Sequence, residues 1–483
     1  MALSLIRSVT IETDQTQREQ WHSWHHPSKT KDLFAQKMVS QSLVMQIKAQ
    51  SSILRFLAAG AVISLVTITA LVFGLRRSST GYNVIKTDPS QQKGAFSHTY
   101  CSSSSAGSTG SQWSNGSWEF VVERDGDNYG LSEEQCRTAF PKLFVEIEKS
   151  VFARREKPIS YKELDEVRVD EGMVRAFVHH GELYIVDFQK MPATYSRARA
   201  TLNSLHRALT SFPDRSSLPS IEFVFTTEDF AGDQQGPIWA YSKRDQDEHI
   251  WMMPDFGYWS WPEVKIGPYK DIRRRIAAVD DGSSFNDKKK QLVWRGSLAT
   301  NPELRSKFLK STLGRSWTSV RVIDWDDEND LRFNLLPMEE HCRYMFLAHT
   351  EGRSFSGRGK YLFNCRSVVI SHTLVWREVH HAALISSGPD ANYVEVQRDF
   401  SDLERKIEYL IDHPETAERI ANNAIRTFRD RYLTPAAESC YWRQLIRGYA
   451  SVCAFEPSIY TQQRGSGQSI PRGVPFETWV LQN

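Results

Sequence analysis

A run of 20 residues without a charged side chain, FLAAGAVISLVTITALVFGL at 56–75, limits what this chain can fold into more than any other feature. As an α-helix it would be about 30 Å long, which is the thickness of the hydrocarbon core of a bilayer. A signal peptide and a buried soluble helix are the alternatives. The run begins far from the N-terminus, exceeds the usual apolar region of a signal peptide and has few polar residues. We therefore predict a single transmembrane helix.

The segments around this predicted helix favour a type II membrane protein. Residues 78–117 are rich in Ser, Gly and Gln, which is typical of a flexible stalk, and they contain an Asn-Gly-Ser glycosylation sequon at 115–117. The basic residues on either side of the helix do not fix its orientation. We expect a cytosolic N-terminal tail and a lumenal body. An anchor followed by a stem, without an ER-retention signal in the terminal WVLQN, favours the Golgi membrane over the ER membrane.

Charge and cysteine content bound the function classes. The chain has 60 Lys and Arg residues against 58 Asp and Glu residues, and its formal net charge is +2. Such a balance argues against a nucleic-acid partner, although a local basic site remains compatible with it. Hydrophobic residues make up 40% of the chain, which is ample for packed cores. Six cysteines are too few for a disulfide scaffold but could form one to three bridges.

From Trp118 onward, strand and helix patterns alternate in two blocks. Alternation of this kind predicts parallel sheets covered by helices, and two blocks predict two α/β domains. Residues 133–155 have the apolar spacing of one amphipathic helix, 166–188 predict a hairpin or meander, and three helices close the second block. The predicted organisation is a cytosolic tail at 1–55, an anchor at 56–75, a stem at 76–117, an N-terminal α/β domain at 118–285, a C-terminal α/β domain at 286–460 and a tail at 461–483.

Two basic, glycine-containing segments of the second block have the composition of an anion site. Ligands of open α/β sheets bind outside the carboxyl ends of the strands, and glycines let backbone amides approach an anion there. One segment begins a helix and the other follows a strand. Taken singly, each could equally be a solvated turn or a structural ion pair; together they favour a nucleoside diphosphate. The candidate ligands are Arg353, Ser356, Arg358 and Lys360 in the first segment and Arg295, Ser297 and Arg305 in the second.

Carboxylates follow two other predicted strands. Glu228 and Asp229 come after the strand at 221–227, where a carboxylate facing a cleft can act as a general base; a helix cap or surface acid is the alternative. Asp324 and Asp326 could hold a divalent metal ion, but their acidic neighbours favour a solvated loop. The histidine pairs at 179–180 and 380–381 lack a recognisable zinc-ligand spacing, so we predict no metal site.

The C-terminal half resembles the capsule-associated and protein O-glucosyltransferase family of glycosyltransferases, and in particular its fungal-type members. The resemblance rests on WRGS at 294–297, HCRYMFLAHTEGRSFSGRGKYLFNC at 341–365 and CYW at 440–442, and it extends over about residues 130–455. It implies a GT-B-like pair of Rossmann-type α/β domains with a C-terminal helical segment. It also implies an inverting, metal-independent transfer from a nucleotide sugar, with no cofactor.

The resemblance carries roles for individual residues. Asp229 falls where the family has its catalytic base. Ser297 and Arg305 fall where the family binds the donor, and the loop at 353–358 matches the one that holds the diphosphate. Lys360 and Arg295 adjoin these motifs and are included as donor-binding candidates.

The resemblance also implies two cysteine pairings. Cys342 and Cys365 match a disulfide pair of the family, and Cys440 matches another paired position for which Cys136 is a candidate mate. The family's protein-modifying members have an arginine where this chain has Glu228, and they carry extra N-terminal cysteines. These departures weaken the expectation that the acceptor is a folded protein module.

We therefore predict transfer of xylose or glucose from UDP-xylose or UDP-glucose to a hydroxyl of a glycan or glycoprotein in the secretory pathway. One alternative is a metal-dependent transferase that uses the Asp-x-Asp sequence at 324–326. Another is a non-catalytic protein that binds UDP or a glycan. A hydrolase would need a second carboxylate opposite Asp229, and the sequence offers none that can be placed there.

Overall fold

The computed structural model describes residues 118–192, 194–231, 235–463 and 465–482. The predicted cytosolic tail, anchor, stem and sequon lie outside the described residues. Within these four ranges, the helices are all too short or too polar to cross a bilayer. The described residues fall in one compact unit, so the predicted division at residue 285 stays a prediction.

The described chain contains strands and helices in alternation, as predicted. Its strands are β1 (Met173–His179), β2 (Glu182–Phe188), β3 (Ile221–Thr226), β4 (Ile238–Ala240), β5 (Trp251–Met252), β6 (Ser260–Trp261), β7 (Ile266–Pro268), β8 (Lys289–Gly296), β9 (Thr318–Val322), β10 (Tyr344–His349), β11 (Val368–His372), β12 (Val394–Val396), β13 (Tyr460–Gln462), β14 (Ser469–Pro471) and β15 (Val474–Pro475). Its α-helices are α1 (Val122–Asp125), α2 (Glu133–Ala139), α3 (Val145–Arg154), α4 (Tyr161–Asp165), α5 (Tyr195–Thr210), α6 (Tyr269–Asp281), α7 (Pro302–Thr312), α8 (Glu328–Phe333), α9 (Gly359–Leu362), α10 (Leu403–Asp412), α11 (Pro414–Ala424), α12 (Pro435–Ala450) and α13 (Phe476–Gln482). A π-helical segment at 425–432 follows α11, and short 3-10 segments lie at 215–217, 256–258, 262–264, 285–287, 339–343 and 381–383.

The first sheet has the strand order β15-β2-β1-β3-β4-β5 and is mixed rather than parallel. Its strands β1 and β2 form the predicted hairpin, whose two-residue turn at His180 and Gly181 has positive φ at both positions. A turn this short can join only antiparallel neighbours, and the strand β3 on the other side of β1 is also antiparallel to it. Only β3, β4 and β5 run parallel to one another. The prediction of a parallel sheet is therefore wrong for this half of the chain.

The second sheet is fully parallel, with the order β12-β11-β10-β8-β9. Its central strand β10 is buried along its whole length, which is typical of a parallel sheet covered on both faces. The chain passes from β8 to β9 on one side and then returns to β10 on the other side of β8. This reversal makes the gap between the carboxyl ends of β8 and β10 the topological switch point, where α/β sheets bind ligands.

Helical segments close the second block as predicted, and the last long one crosses to the first sheet. The chain then continues through β13 and β14 to β15, which pairs with β2 at the edge of the first sheet. The π-helical segment at 425–432 leads into α12, whose first turn contains Pro435 and whose N-cap Thr434 accepts a hydrogen bond from the Ala437 amide. The indole of Trp442 packs against Trp239 of β4 and donates a hydrogen bond to Ser204 of α5. Helix α12 therefore fixes the N-terminal block against the end of the C-terminal block. The mixed α/β class that the sequence predicts is confirmed.

Candidate active site

A cavity of about 590 Å³ lies where the carboxyl end of β3 meets the switch point of the second sheet. Two separate parts of the sequence form its walls. Most of the residues that the sequence analysis singled out line it, although they lie up to 129 positions apart in the chain. The predicted residues in the lining are Asp229, Arg295, Ser297, Arg305, Arg353, Ser356 and Arg358.

Three guanidinium groups on the cavity wall lack a negatively charged partner within the part of the chain that the structure describes. Arg305 is buried, with 6% of its surface exposed, and Arg295 and Arg358 are partly buried. Burial lowers the pKa of Arg305 to about 10. Burial, together with Arg305 and Arg295, lowers the pKa of Arg358 to about 9. Cations held together away from water are stabilised by an anion, so the cavity has the electrostatics of an anion site.

Two of the three guanidinium groups are fixed in place by the backbone. Arg305 donates from Nε to the Glu351 carbonyl at 3.1 Å and from Nη1 to the Ser297 carbonyl at 2.6 Å. Arg295 donates from Nε to the Asn334 carbonyl at 3.1 Å. Among the described residues, Arg358 receives no such restraint from a hydrogen bond. Its donors are therefore the ones most available to a ligand.

A buried carboxylate within the loop between β10 and α9 fixes the position of that loop. Glu351 accepts hydrogen bonds from the amides of Val375 and Trp376 at 2.7 and 2.8 Å and pairs with Arg398 at 2.7 Å. The arginines and glycines of this loop predicted from the sequence that it binds an anion. The acid that shapes it gives no signal in the sequence, because its partners lie more than 20 residues downstream.

Lys360, which the sequence places with the donor-binding residues, does not line the cavity. Its side chain is fully buried, and its Nζ pairs with Asp255 at 2.7 Å and donates to the Gly357 carbonyl at 2.8 Å. The ammonium therefore ties α9 to the turn at 255–257 and has its charge neutralised inside the protein. Its position after a basic loop made it resemble its neighbours.

Asp229 lies on the opposite wall, just beyond β3. Its Oδ1 accepts a hydrogen bond from Nη1 of Arg197 at 3.0 Å, and about a third of its side chain is exposed. The Ser354 hydroxyl donates to the main-chain carbonyl of Asp229, which joins the anion loop to the end of β3. Arg197 is a cavity residue that sequence reasoning missed, since nothing local distinguishes it from the other arginines of α5.

Glu228 does not line the cavity and is partly buried. Burial and the neighbouring carboxylate of Asp229 raise its pKa, and Arg197 and Arg353 oppose that rise. Its Oε1 is buried and finds no hydrogen-bond donor in the described chain. The two adjacent acids thus have different environments, because only Asp229 is open to the cavity.

The alternative Asp-x-Asp site does not face the cavity. Asp324 and Asp326 are exposed, and the Asp326 amide donates to Asp324 Oδ1 at 3.0 Å as in a turn. The Asp324 amide in turn donates to Asp330 Oδ2 at 2.7 Å. Only Trp325, between the two acids, lines the cavity. These carboxylates therefore cap a loop beside α8.

The described chain contains two disulfides, and both are pairings that the resemblance implied. Cys342 joins Cys365 and so connects the segment before β10 to the one after α9. Cys136 joins Cys440 and connects α2 to α12. Among the described cysteines only Cys453 is free.

Comparison with known proteins agrees with this architecture. The sequence profile of Glycosyl transferase family 90 matches residues 133–465. The chain is 26% identical over 270 residues to an O-glucosyltransferase rumi homolog of Aedes aegypti, and the match covers 50% of this chain and 64% of that protein. It is 24% identical over 283 residues to human Protein O-glucosyltransferase 1, covering 54% of this chain and 69% of the relative.

A third relative, O-glucosyltransferase rumi of Drosophila melanogaster, is 24% identical over 270 residues, which are 50% of this chain and 62% of that protein. The match thus spans less than two thirds of the two insect relatives. The family profile, in contrast, covers more than half of the present chain and includes both walls of the cavity. The chain belongs to glycosyl transferase family 90.

Proposed function

We propose that the chain is an inverting glycosyltransferase of GT-B-like architecture that moves glucose or xylose from a UDP-sugar to a hydroxyl of a protein or of its glycans. The observation that carries this proposal is the cavity itself. It places three guanidinium groups without carboxylate partners opposite the carboxylate of Asp229. Its volume of about 590 Å³ lies within the range of pockets that bind ligands of this size.

The donor's diphosphate is held on the wall formed by β8, α7 and the loop after β10. Arg358 and Arg305 stabilise the negative charge that develops on the departing UDP. Arg353 and Ser356 lie on the same loop and add donors at the mouth of the cavity. Positive charge at this place serves the role that a divalent cation has in other sugar transferases, so the proposal requires neither a donor-bound metal nor a cofactor.

On the other wall, Asp229 removes the proton of the acceptor hydroxyl. The acceptor oxygen forms a bond to the anomeric carbon while the bond from that carbon to the phosphate oxygen breaks, so configuration inverts and UDP leaves with the bonding electrons. Arg197 orients the carboxylate and occupies its Oδ1 with a hydrogen bond. We infer that the acceptor shifts this ion pair when it binds, which frees the oxygen that takes the proton.

The relatives named O-glucosyltransferase support glucose as the sugar and a protein as the acceptor. A Golgi or ER membrane location with a lumenal catalytic body remains part of the proposal. It is supported by two disulfides, which form and persist in an oxidising compartment.

The deciding experiment measures UDP release by the full chain against a panel of UDP-sugars, with a protein or glycan acceptor and with or without EDTA. Consumption of one sugar that continues in EDTA supports the proposal. Activity that EDTA abolishes and Mg²⁺ or Mn²⁺ restores would favour a metal at Asp324 and Asp326. Tight UDP binding without turnover of any sugar would indicate a non-catalytic binding protein.

A further inference from the structure

A second cluster of polar side chains is buried behind the anion loop. His349 is the last residue of β10. Glu378 precedes the 3-10 segment at 381–383, and His381 is the first residue of that segment. The three residues are only 2%, 3% and 7% exposed. None of them lines the cavity of about 590 Å³. The cluster is therefore separate from the proposed reaction site.

The polar atoms of this cluster lack hydrogen-bond partners within the described part of the chain. The buried atoms without a partner are both ring nitrogens of His349, both carboxylate oxygens of Glu378 and Nε2 of His381. Buried polar groups in folded proteins are nearly always satisfied by protein, water or an ion. So many unsatisfied atoms converging at one place indicate a bound species that supplies the missing interactions.

The convergence has the dimensions of a metal site. One ligand atom from each residue lies within 4.8 Å of those from the other two, and His381 Nε2 is 3.2 Å from Glu378 Oε2. Bonds of about 2.0–2.2 Å in a tetrahedral zinc site put neighbouring ligand atoms roughly 3.3–3.5 Å apart. The observed pair already has this separation, and the remaining atoms need to move inward by about 1 Å. We propose that His349, Glu378 and His381 bind one zinc ion, with a water molecule as the fourth ligand.

The residue types match zinc chemistry. Two imidazole nitrogens and one carboxylate are a common set of three protein ligands for this ion. An ion pair between His381 and Glu378 is the simplest competing arrangement. It would satisfy one carboxylate oxygen but would leave the second oxygen and both nitrogens of His349 without partners.

The hydrogen bonding of His381 makes a specific demand on the zinc site. Its Nδ1 accepts a long hydrogen bond of 3.2 Å from the Glu378 amide, so without metal the ring proton is on Nε2. Zinc binding at Nε2 requires the other neutral tautomer, so the ring proton moves to Nδ1 and the ring rotates enough to open the contact with the Glu378 amide.

The ion would join two segments that shape the anion loop. His349 directly precedes the loop that contains Glu351 and Arg358. A Cβ placed on Gly359, at the end of that loop, would lie 2.8 Å from the His349 ring. Glu378 and His381 follow Trp376, whose amide is bound by Glu351. Zinc at this position braces the base of the loop without touching the donor, so the inference holds whether or not the chain is a transferase.

The test begins with the metal content of the full chain, made without a histidine tag and dialysed against metal-free buffer. Elemental analysis should find about one zinc per chain. Replacement by Co²⁺ should give the visible absorption of a tetrahedral nitrogen–oxygen site. Glu378→Gln and His381→Ala should lose this stoichiometry, whereas His413→Ala, which changes a surface histidine on α10's C-terminal side, should keep it.

Two results would overturn the zinc site. One is wild-type protein that holds no zinc as purified and takes up none after exposure to excess Zn²⁺. The other is zinc that persists at full stoichiometry in both cluster variants. Because wild-type stoichiometry and the cobalt spectrum are read on the unmodified chain, misfolding of a variant does not remove the test. A transferase without zinc and a zinc protein without transferase activity are distinct outcomes.

Discussion

Buried cations of this molecule fall into two groups, which differ in whether the protein supplies a carboxylate partner. In the internal ion pairs the charge is neutralised by the protein: Lys360 pairs with Asp255, and Lys288 pairs with Asp280 at 2.6 Å with both side chains 1% exposed. In the cavity wall, Arg305 and Arg358 have no carboxylate partner among the described residues. A buried charge without a partner is costly, so a fold that keeps one gains from it elsewhere.

The difference separates structural from functional cations better than residue type does. Lys360 and Arg358 lie two positions apart in the same glycine-rich segment, and the sequence assigns them the same role. The structure gives one an internal carboxylate and leaves the other facing the cavity. Substitutions that remove each charge in turn should therefore affect different properties.

The largest effect is expected at Asp229, the carboxylate beyond β3 on the cavity wall. Asp229→Asn removes the proposed base while keeping its shape, and loss of general base catalysis typically costs about 10²–10⁴-fold in rate. Sugar transfer should fall by this factor in kcat, whereas UDP affinity, measured by calorimetry, should stay within about twofold. Asp245→Asn, which removes an exposed partner of Arg377, is the matched control. Near-normal turnover of D229N would remove Asp229 from the mechanism.

Lys360→Met tests the neutralised side of the comparison. Removing one partner of a buried pair leaves Asp255 charged and unpaired, which costs about 3–5 kcal/mol of the free energy of unfolding. Denaturant unfolding should detect this loss. The double variant K360M with Asp255→Asn should recover part of it, because it leaves no isolated charge. If K360M instead left stability unchanged and weakened UDP binding, the ammonium would belong with the cavity cations.

Arg358→Met tests the other side. Hydrogen bonds to charged groups contribute about 1.5–3 kcal/mol, so UDP should bind about 10- to 100-fold more weakly. The free energy of unfolding should be unchanged or slightly higher, since an unpaired buried cation has been removed. Arg274→Met changes an exposed arginine of α6 and should alter neither property. A large loss of stability with normal UDP affinity would mean that the guanidinium is structural.

The sequence predicted the parts of the site that depend on local chemistry. Asp229 and the loop at 353–358 follow strands, and the ends of strands at a switch point are where α/β folds place ligands. It could not predict Arg197, since its selection depends on how α5 packs, or the partner of Lys360, which lies 105 positions earlier in the chain. The histidines of the second cluster are separated by 32 residues, a spacing that matches no zinc motif.

The fold shows the same division between local and distant information. The hairpin and the closing helices were predicted because their patterns are local. The single helix predicted at 133–155 is wrong: it divides into α2 and α3 around Pro141, which lacks an amide proton and disfavours a helical conformation at Phe140. The apolar spacing continues through the break, because α2 and α3 both pack on the same core. This continuous spacing predicted one helix although Pro141 interrupts it.

The smallest expected effect concerns Glu228, whose buried Oε1 has no hydrogen-bond donor among the described residues. Burial and Asp229 raise its pKa above the ordinary value. The folded state therefore binds this proton more tightly than the unfolded chain, and its contribution to stability is present at low pH and lost as pH rises through the folded pKa. Glu228→Gln carries no proton to lose, so its stability relative to wild type should rise as the pH increases above the ordinary carboxyl pKa of about 4.5.

Because Glu228 is partly exposed, solvent screening should keep this gain to no more than about 1 kcal/mol. Thermal melts of both proteins across the pH range measure it, and Glu248→Gln, which changes an exposed carboxylate, provides the baseline. A flat difference between wild type and E228Q would show that the carboxyl finds a donor in solution. Glu228 would then belong with the buried charges that have partners in the protein. Arg305 and Arg358 would remain as the charges available to a ligand.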